Sequence, residues 1–254
     1  MSPEPLLKIQ GLTKSFGEKK VHRGIDLELF EGECLGLLGG SGLGKSLILR
    51  SIIGLENPDS GSIFFRGKNL LASNRSREDW YDVRKQIGYV FQNGALFDSL
   101  TVYENLAYPL RAHSQLTEPE IASKITEMLA LIDMPGSESL LPGELSGGMQ
   151  KRAGLARSMI LGPSVILLDE PTAGLDPANT KRFIENILTF RSRGTTALFV
   201  THDIPSAVAL CDRVAVLDQG RIHSVQGVAQ FRNSQDPVIQ KFNFGVNLSG
   251  ANRP

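Results

Sequence analysis

The amino-acid sequence predicts an α/β fold with a parallel sheet, an N-terminal antiparallel β-subdomain and an inserted helical subdomain. Three observations predict it: period-two alternation before residue 30, helical spacing from about residue 93 to 160, and strand–helix alternation after that. Alternating strands and helices are typical of a doubly wound sheet. With 254 residues, we expect a single domain over residues 1–254, ending in an extension from about residue 229.

The N-terminal strands are indicated by Ile25, Leu27 and Leu29, which alternate with acidic residues as in a sheet with one buried face. An apolar strand over residues 34–38 then runs into a glycine-rich turn. The helix expected after this turn carries its apolar residues at helical spacing: Ile48, Ile52 and Leu55.

The inserted helical subdomain is indicated by a capping box, Thr117 to Glu120, with Pro119 in the first turn. The apolar stripe of the helix that it opens is interpreted as core packing: Ile121, Ile125, Met128, Leu129 and Ile132.

The last third returns to strands. Residues 165–168 are continuously apolar, as in a central parallel strand. A helix is expected over about 180–193, strands over 196–201 and 214–217, and a hairpin turn at 218–220.

Composition excludes several classes of protein. Lys plus Arg and Asp plus Glu are 27 each, so no net charge recruits nucleic acid, and we expect no nucleic-acid partner. The N-terminal residues show no secretory signal, and no apolar run is long enough to span a bilayer. Cys34 and Cys211 lie in apolar segments and are expected to be reduced core residues rather than a disulfide or a metal pair. We therefore expect a cytoplasmic protein.

A phosphate-binding loop is predicted where residues 39–46 read Gly-Gly-Ser-Gly-Leu-Gly-Lys-Ser, the pattern G-x4-G-K-[ST]. Its glycines let backbone N–H groups approach phosphate oxygens, and the following helix directs its positive end at the same anion. Lys45 is expected to reach the β- and γ-phosphates, and the Ser46 hydroxyl to ligate Mg²⁺. The predicted ATP-binding residues of this loop are Gly39, Gly40, Ser41, Gly42, Leu43, Gly44, Lys45, Ser46 and Leu47.

Two acids follow the apolar strand 165–168. Asp169 is expected to hold the Mg²⁺ shell, and Glu170 to polarise a water that attacks the γ-phosphate. Without the preceding phosphate-binding loop, such a pair is more often solvated or capping.

A second phosphate-binding element is predicted at residues 145–150, Leu-Ser-Gly-Gly-Met-Gln, where Ser146, Gly147 and Gly148 open a helix. This hexapeptide, following a phosphate-binding loop, resembles the LSGGQ-type signature of the ABC ATPases. The resemblance implies a P-loop NTPase core and head-to-tail homodimers, in which each signature completes the ATP site of the other subunit.

Four further residues match the family's pattern, and the resemblance implies their roles. Gln92 corresponds to the glutamine that touches Mg²⁺ and the lytic water, and His202 to the histidine that contacts the γ-phosphate. Phe16 stands where an aromatic ring stacks on adenine. Asp176 ends a D-loop, Ala-Gly-Leu-Asp, that departs from the commoner Ser-Ala-Leu-Asp.

The segment from Asn93 to Arg111 resembles that of MlaF-type ATPases, which pair a permease with an MCE protein to move phospholipid. The resemblance implies a permease whose coupling helix docks near this segment, an MCE-type partner and a place on the cytoplasmic face of the inner membrane. An importer ATPase for amino acids or polyamines is the alternative. ABC ATPases of DNA repair or translation fit less well, because the segment from Gln92 to Leu145 has no room for a long coiled coil.

Overall fold

The computed structural model describes residues 4–72 and 76–243. The elements before residue 76 are β1 (Leu7–Phe16), β2 (Lys19–Leu29), β3 (Cys34–Gly39), α1 (Lys45–Ile52), β4 (Ser60–Phe65) and β5 (Lys68–Asn69). Those that follow are α2 (Arg77–Gln86), β6 (Ile87–Val90), α3 (Val102–His113), α4 (Glu118–Leu131), a 3₁₀ turn (Pro142–Glu144), α5 (Gly147–Met159), β7 (Val165–Asp169) and α6 (Pro177–Arg191). The last are β8 (Thr196–Thr201), α7 (Ile204–Leu210), β9 (Arg213–Asp218), β10 (Arg221–Gly227), α8 (Val228–Arg232) and α9 (Pro237–Asn243).

The chain divides into two compact units, residues 1–75 with 198–254, and residues 76–197. In the first unit, β2, β1, β4 and β5 form an antiparallel sheet in that order, as the N-terminal alternation predicts. The same unit pairs β3 with β9 in parallel, from Leu35 opposite Arg213 to Gly39 opposite Leu217. All six residues of β3 are buried, so the loop that follows it begins from a fixed strand.

The second unit pairs β6 with β7 in parallel, from Ile87 opposite Val165 to Val90 opposite Leu168. Its helices include the predicted helix α4, whose N-cap Thr117 forms a capping box with Glu120 in the first turn. The predicted stripe is buried, although the last of its residues is the C-cap rather than part of the helix: Ile121, Ile125, Met128, Leu129 and Ile132.

Two helix boundaries differ from the prediction. Helix α1 ends at Ile52, and Leu55, expected on its apolar face, is 54% exposed. The cause is Gly54, whose φ of 68° allows a Schellman closure in which Leu55 N donates to Arg50 O at 2.9 Å. Helix α6 begins three residues earlier than expected, because the Asp176 side chain caps it by accepting from Asn179 N at 2.9 Å.

Cys34 and Cys211 are both buried, as expected of core residues, and their reduced state stays a prediction. Their sulfur atoms are nevertheless 3.5 Å apart, although the two residues are far apart in sequence. In the predicted C-terminal extension, residues 244–254 lie outside the described part of the chain. No helix in residues 4–72 or 76–243 is long and apolar enough to cross a membrane.

Candidate active site

The predicted phosphate-binding loop connects β3 to α1 in the first unit, and its glycines are required by the backbone. Gly42 and Gly44 have φ values of 76° and 86°, in the left-handed region that favours glycine. A Cβ on Gly44 would lie 2.6 Å from Val21 Cγ1 and 2.7 Å from His22 Nε2, and a Cβ on Gly39 would lie 2.9 Å from Leu217 O. The loop therefore lies too close to its neighbours to accommodate a side chain at Gly39 or Gly44.

Lys45 begins α1, and its side chain turns back over the loop. The buried ammonium donates to Gly39 O at 2.8 Å and Gly40 O at 3.2 Å. Gly44, the N-cap of α1, has no side chain to cap the helix, and the first turn contains no acid. Two left-handed glycines, a lysine and an acid-free helix start form a cradle of donors that fits a polyphosphate.

His22 on β2 supports this loop, although sequence reasoning did not identify it. The residue is 1% exposed, and its Nε2 donates to Gly44 O at 3.0 Å. Within the described residues, Nδ1 has no hydrogen-bond partner. Burial lowers the pKa of His22 more than the bond to Gly44 raises it, which favours the neutral imidazole. The sequence carries no signal for it, because continuing the alternation of Ile25, Leu27 and Leu29 would put His22 on the opposite face, and a register shift between Ile25 and Arg23 changes the parity.

Two other predicted residues of the first unit lie at strand ends. Phe16 ends β1 with 54% of its surface exposed, and the Lys14 ammonium lies 5.1 Å from the ring centroid. An exposed aromatic face is what stacking on a purine requires. His202 directly follows β8 and is exposed.

The two predicted acids lie in the second unit, at the carboxyl end of the buried strand β7. Asp169 is 5% exposed, and its Oδ2 accepts a hydrogen bond from the Tyr89 hydroxyl at 2.9 Å. Glu170 is partly exposed and has a left-handed φ of 47°, unusual for a residue other than glycine. Gln92, expected to end its strand, instead lies in an exposed turn two residues after β6.

The predicted signature forms the N-terminus of α5. Ser146 is the N-cap, and its hydroxyl accepts from Met149 N at 3.3 Å. Gly147 is open, because a Cβ there would meet no heavy atom of the described residues within 4 Å. Gly148 packs so closely that a Cβ would lie 2.5 Å from Asn179 Oδ1. The first turn again lacks an acid, and it fits an anion as α1 does.

Asp176, predicted to contact nucleotide, makes hydrogen bonds within its own unit. Its carboxylate accepts from Asn179 N at 2.9 Å and from Asn179 Nδ2 at 2.6 Å, and these bonds lower the pKa of Asp176. The structure therefore gives this residue a capping role, and its contact with nucleotide stays a prediction.

The segment from Asn93 to Arg111 presents an aromatic pair. Phe97 and Tyr108 are 46% and 57% exposed, and their rings pack edge to face with centroids 5.5 Å apart. The Arg157 guanidinium lies 5.0 Å from the Phe97 ring. Buried Asn105 fixes the loop by accepting from Phe97 N at 2.8 Å and donating to Phe97 O at 3.1 Å.

A family model described as ABC transporter matches residues 22–173. The chain belongs to the ABC transporter family. The match includes the phosphate-binding loop, the signature and the acids Asp169 and Glu170, so the resemblance found in the sequence is confirmed.

Relatives within the family have several named functions. The intermembrane phospholipid transport system ATP-binding protein MlaF of Escherichia coli K12 is 36% identical over 95% of this chain and 89% of that protein, which confirms the MlaF-type resemblance. The probable ribonucleotide transport ATP-binding protein mkl of Mycobacterium bovis is 40% identical over 93% of this chain. The chain spans 66% of that protein's length. The sulfate/thiosulfate import ATP-binding protein CysA of Xylella fastidiosa is 39% identical over 95% of this chain and 69% of that protein.

Solved structures confirm the predicted fold class. CbiO1 of Clostridium perfringens, part of the ABC transporter complex CbiONQ, has a TM-score of 0.81 at 29% identity and covers 96% of each chain. The ATP-binding cassette MJ0796, solved as a dimer bound to ADP and phosphate, has a TM-score of 0.79 at 28% identity, over 87% of this chain and 98% of that chain.

Proposed function

We propose that this chain is the ATP-binding and ATP-hydrolysing subunit of an ABC transporter and acts as a homodimer. The observation that carries the proposal is the donor cradle of Gly42, Gly44 and Lys45 at the start of α1, in a chain that belongs to this family. Phe16 offers an exposed ring for the adenine, while the loop and Lys45 hold the phosphates. Ser46 and Asp169 are the oxygen ligands proposed for Mg²⁺.

Glu170 is the proposed general base. Bound Mg-ATP supplies the phosphoryl group that water attacks, and the Glu170 carboxylate accepts a proton from that water. Tyr89 donates to Asp169 Oδ2 and so holds this carboxylate at the end of β7. Gln92 and His202 are proposed to orient the water and the γ-phosphate.

Replacing Glu170 by glutamine tests this assignment, because the amide keeps the shape and cannot take the proton. We expect ATP affinity to be retained and turnover to fall by about 10² or more, with more ATP-dependent dimer than in the wild type. Glu185→Gln, at an exposed position of α6, is the matched control and should hydrolyse ATP like the wild type. Turnover of Glu170→Gln within a few-fold of wild type contradicts the assignment.

The signature is proposed to act across the dimer, since the first unit already has its own phosphate cradle in the loop before α1. Mixing Lys45→Ala with Ser146→Arg gives mixed dimers with one intact site and one doubly damaged site. We expect these dimers to close with ATP to an extent that neither parent homodimer shows. Equal failure of the parents and of verified mixed dimers rules out assembly in trans.

The proposed cargo is phospholipid, moved through an MCE-linked permease from the cytoplasmic face of the inner membrane. Support comes from MlaF, 36% identical and named for phospholipid transport, and from the exposed pair of Phe97 and Tyr108 in the predicted docking segment. A charge at Leu96 or Phe97 should weaken docking, because an unpaired charge in an apolar contact is unfavourable. Phe97→Asp should therefore lose the permease and keep ATP binding, whereas Leu188→Asp, 39% exposed on α6, should keep both.

An importer of small solutes is the second candidate, and the 39% identity to CysA, named for sulfate/thiosulfate import, favours it. Native pull-down followed by mass spectrometry separates the two candidates. An MCE protein with phospholipid is the result expected. A solute permease without either overturns the lipid proposal and leaves the ATPase proposal intact.

A further inference from the structure

Lys151 on α5 contacts the turn that carries Glu170. It lies in the second turn of the helix that Ser146 caps, and its ammonium donates to Ala173 O. The side chain is partly buried, and burial lowers the pKa of Lys151 while the charge of Glu170 acts in the opposite direction. The ammonium is therefore within electrostatic range of the proposed base.

The turn itself needs such support. Glu170 adopts a left-handed φ of 47°, which costs about 1–2 kcal/mol for an ordinary residue. Main-chain bonds close the turn, from Ala173 N to Glu170 O at 3.2 Å and from Leu175 N to Thr172 O at 3.1 Å. Lys151 adds a charged donor at the Ala173 carbonyl, where a bond to an ionised group is stronger than a neutral one.

Helix α5 also holds the far end of the same segment. Arg152 Nη1 donates to Asn179 Oδ1 at 3.3 Å, and Asn179 Nδ2 donates to Asp176 Oδ2 at 2.6 Å. Gly148 packs directly against Asn179. The signature helix is thus bonded near both ends of the segment that runs from Glu170 to Asn179.

We infer that Lys151 is a positioning residue for Glu170, fixing the turn from Glu170 to Ala173 to the signature helix. The inference rests on the proposed role of Glu170 and goes beyond it, because it adds a residue that none of the predicted motifs contains. Lys151 touches neither substrate nor reacting atoms in this account. Its loss should lower turnover while ATP affinity is unchanged.

The first test measures the turn in the nucleotide-free full-length chain by hydrogen exchange. Lys151→Met keeps the aliphatic stem and removes the donor, so the amides of Ala173 and Leu175 should exchange about tenfold faster, the factor that corresponds to a bond of about 1.4 kcal/mol. Lys181→Met, which removes a 79% exposed lysine from α6 of the same unit, is the matched control and should exchange like the wild type. Equal exchange in the two variants overturns the inference.

The second test separates turnover from binding. Lys151→Met should lower kcat about tenfold with ATP affinity within twofold of wild type, and Lys151→Arg, which keeps a charged donor, should recover most of kcat. Lys151→Gln, whose uncharged polar side chain is similar in shape to that of methionine, should lower kcat as Lys151→Met does. Unchanged kcat in Lys151→Met, or a loss of kcat that accompanies a matching loss of ATP affinity, overturns the inference. Failure of the wild type to hydrolyse ATP contradicts the proposed function instead. The exchange test then shows by itself whether Lys151 holds the turn at Ala173.

Discussion

Replacing Gly44 by alanine tests whether the phosphate-binding loop is held in one conformation by close contacts. At a φ of 86°, an L-residue costs about 1–2 kcal/mol. The new Cβ would also lie 2.6 Å from Val21 Cγ1 and 2.7 Å from His22 Nε2, an overpacking that adds about 1–3 kcal/mol. We therefore expect the free energy of unfolding to fall by about 2–5 kcal/mol, or the Tm by roughly 4–20 °C for a chain of this size.

Gly42→Ala is the matched control, because its φ is 76° and its Cβ would meet no described heavy atom within 4 Å. It should lose about 1–2 kcal/mol, the conformational part alone. Urea unfolding followed by circular dichroism measures both variants, and titration with ATP measures binding. Gly32→Ala, with a φ of 74° outside the loop, should match Gly42→Ala in stability and bind ATP like the wild type. Equal losses for Gly44→Ala and Gly42→Ala would refute the close contacts.

Three further predictions concern single residues. Phe16→Ala should weaken ATP binding about 2- to 10-fold, as expected for loss of one aromatic contact, and Phe16→Tyr should bind like the wild type in the same fluorescence titration. Ser146→Ala removes the N-cap of α5 and should lower the free energy of unfolding by about 1 kcal/mol in urea. The pKa of His22 is lowered in the folded state, so the unfolded state binds more protons and stability should fall as the pH drops below about 6.5. His22→Leu should reduce this slope in thermal scans, and His113, whose pKa burial and Lys85 also lower, should retain part of it.

Local spacing made much of the fold and site predictable. A phosphate-binding loop, a capping box and a signature each occupy a few consecutive residues, so their backbone requirements are visible without tertiary information. Ser146 caps α5 and Thr117 opens α4, as predicted. The error at Leu55 is also local, since Gly54 after the apolar pattern signals a helix C-terminus.

Contacts between distant residues were not predictable. Tyr89 meets Asp169 because β6 and β7 pair in parallel, and neither strand's pattern specifies its neighbour. The bond from His22 to Gly44 likewise depends on how β2 packs against the loop. The contact of Lys151 with Ala173 O is likewise not predictable, because the sequence shows Lys151 only as a basic residue of a helix.

The most direct test of an ATPase that closes as a dimer is the stoichiometry of nucleotide retained by Glu170→Gln. The variant is incubated with Mg-ATP, passed through gel filtration with mass detection, and the bound nucleotide is quantified. We predict a species of twice the 27.7 kDa chain mass that holds one unhydrolysed ATP per chain, and loss of both dimer and retained ATP when Ser146→Arg is added. A monomer that retains ATP, or a dimer that the Ser146 substitution leaves unchanged, would contradict the account.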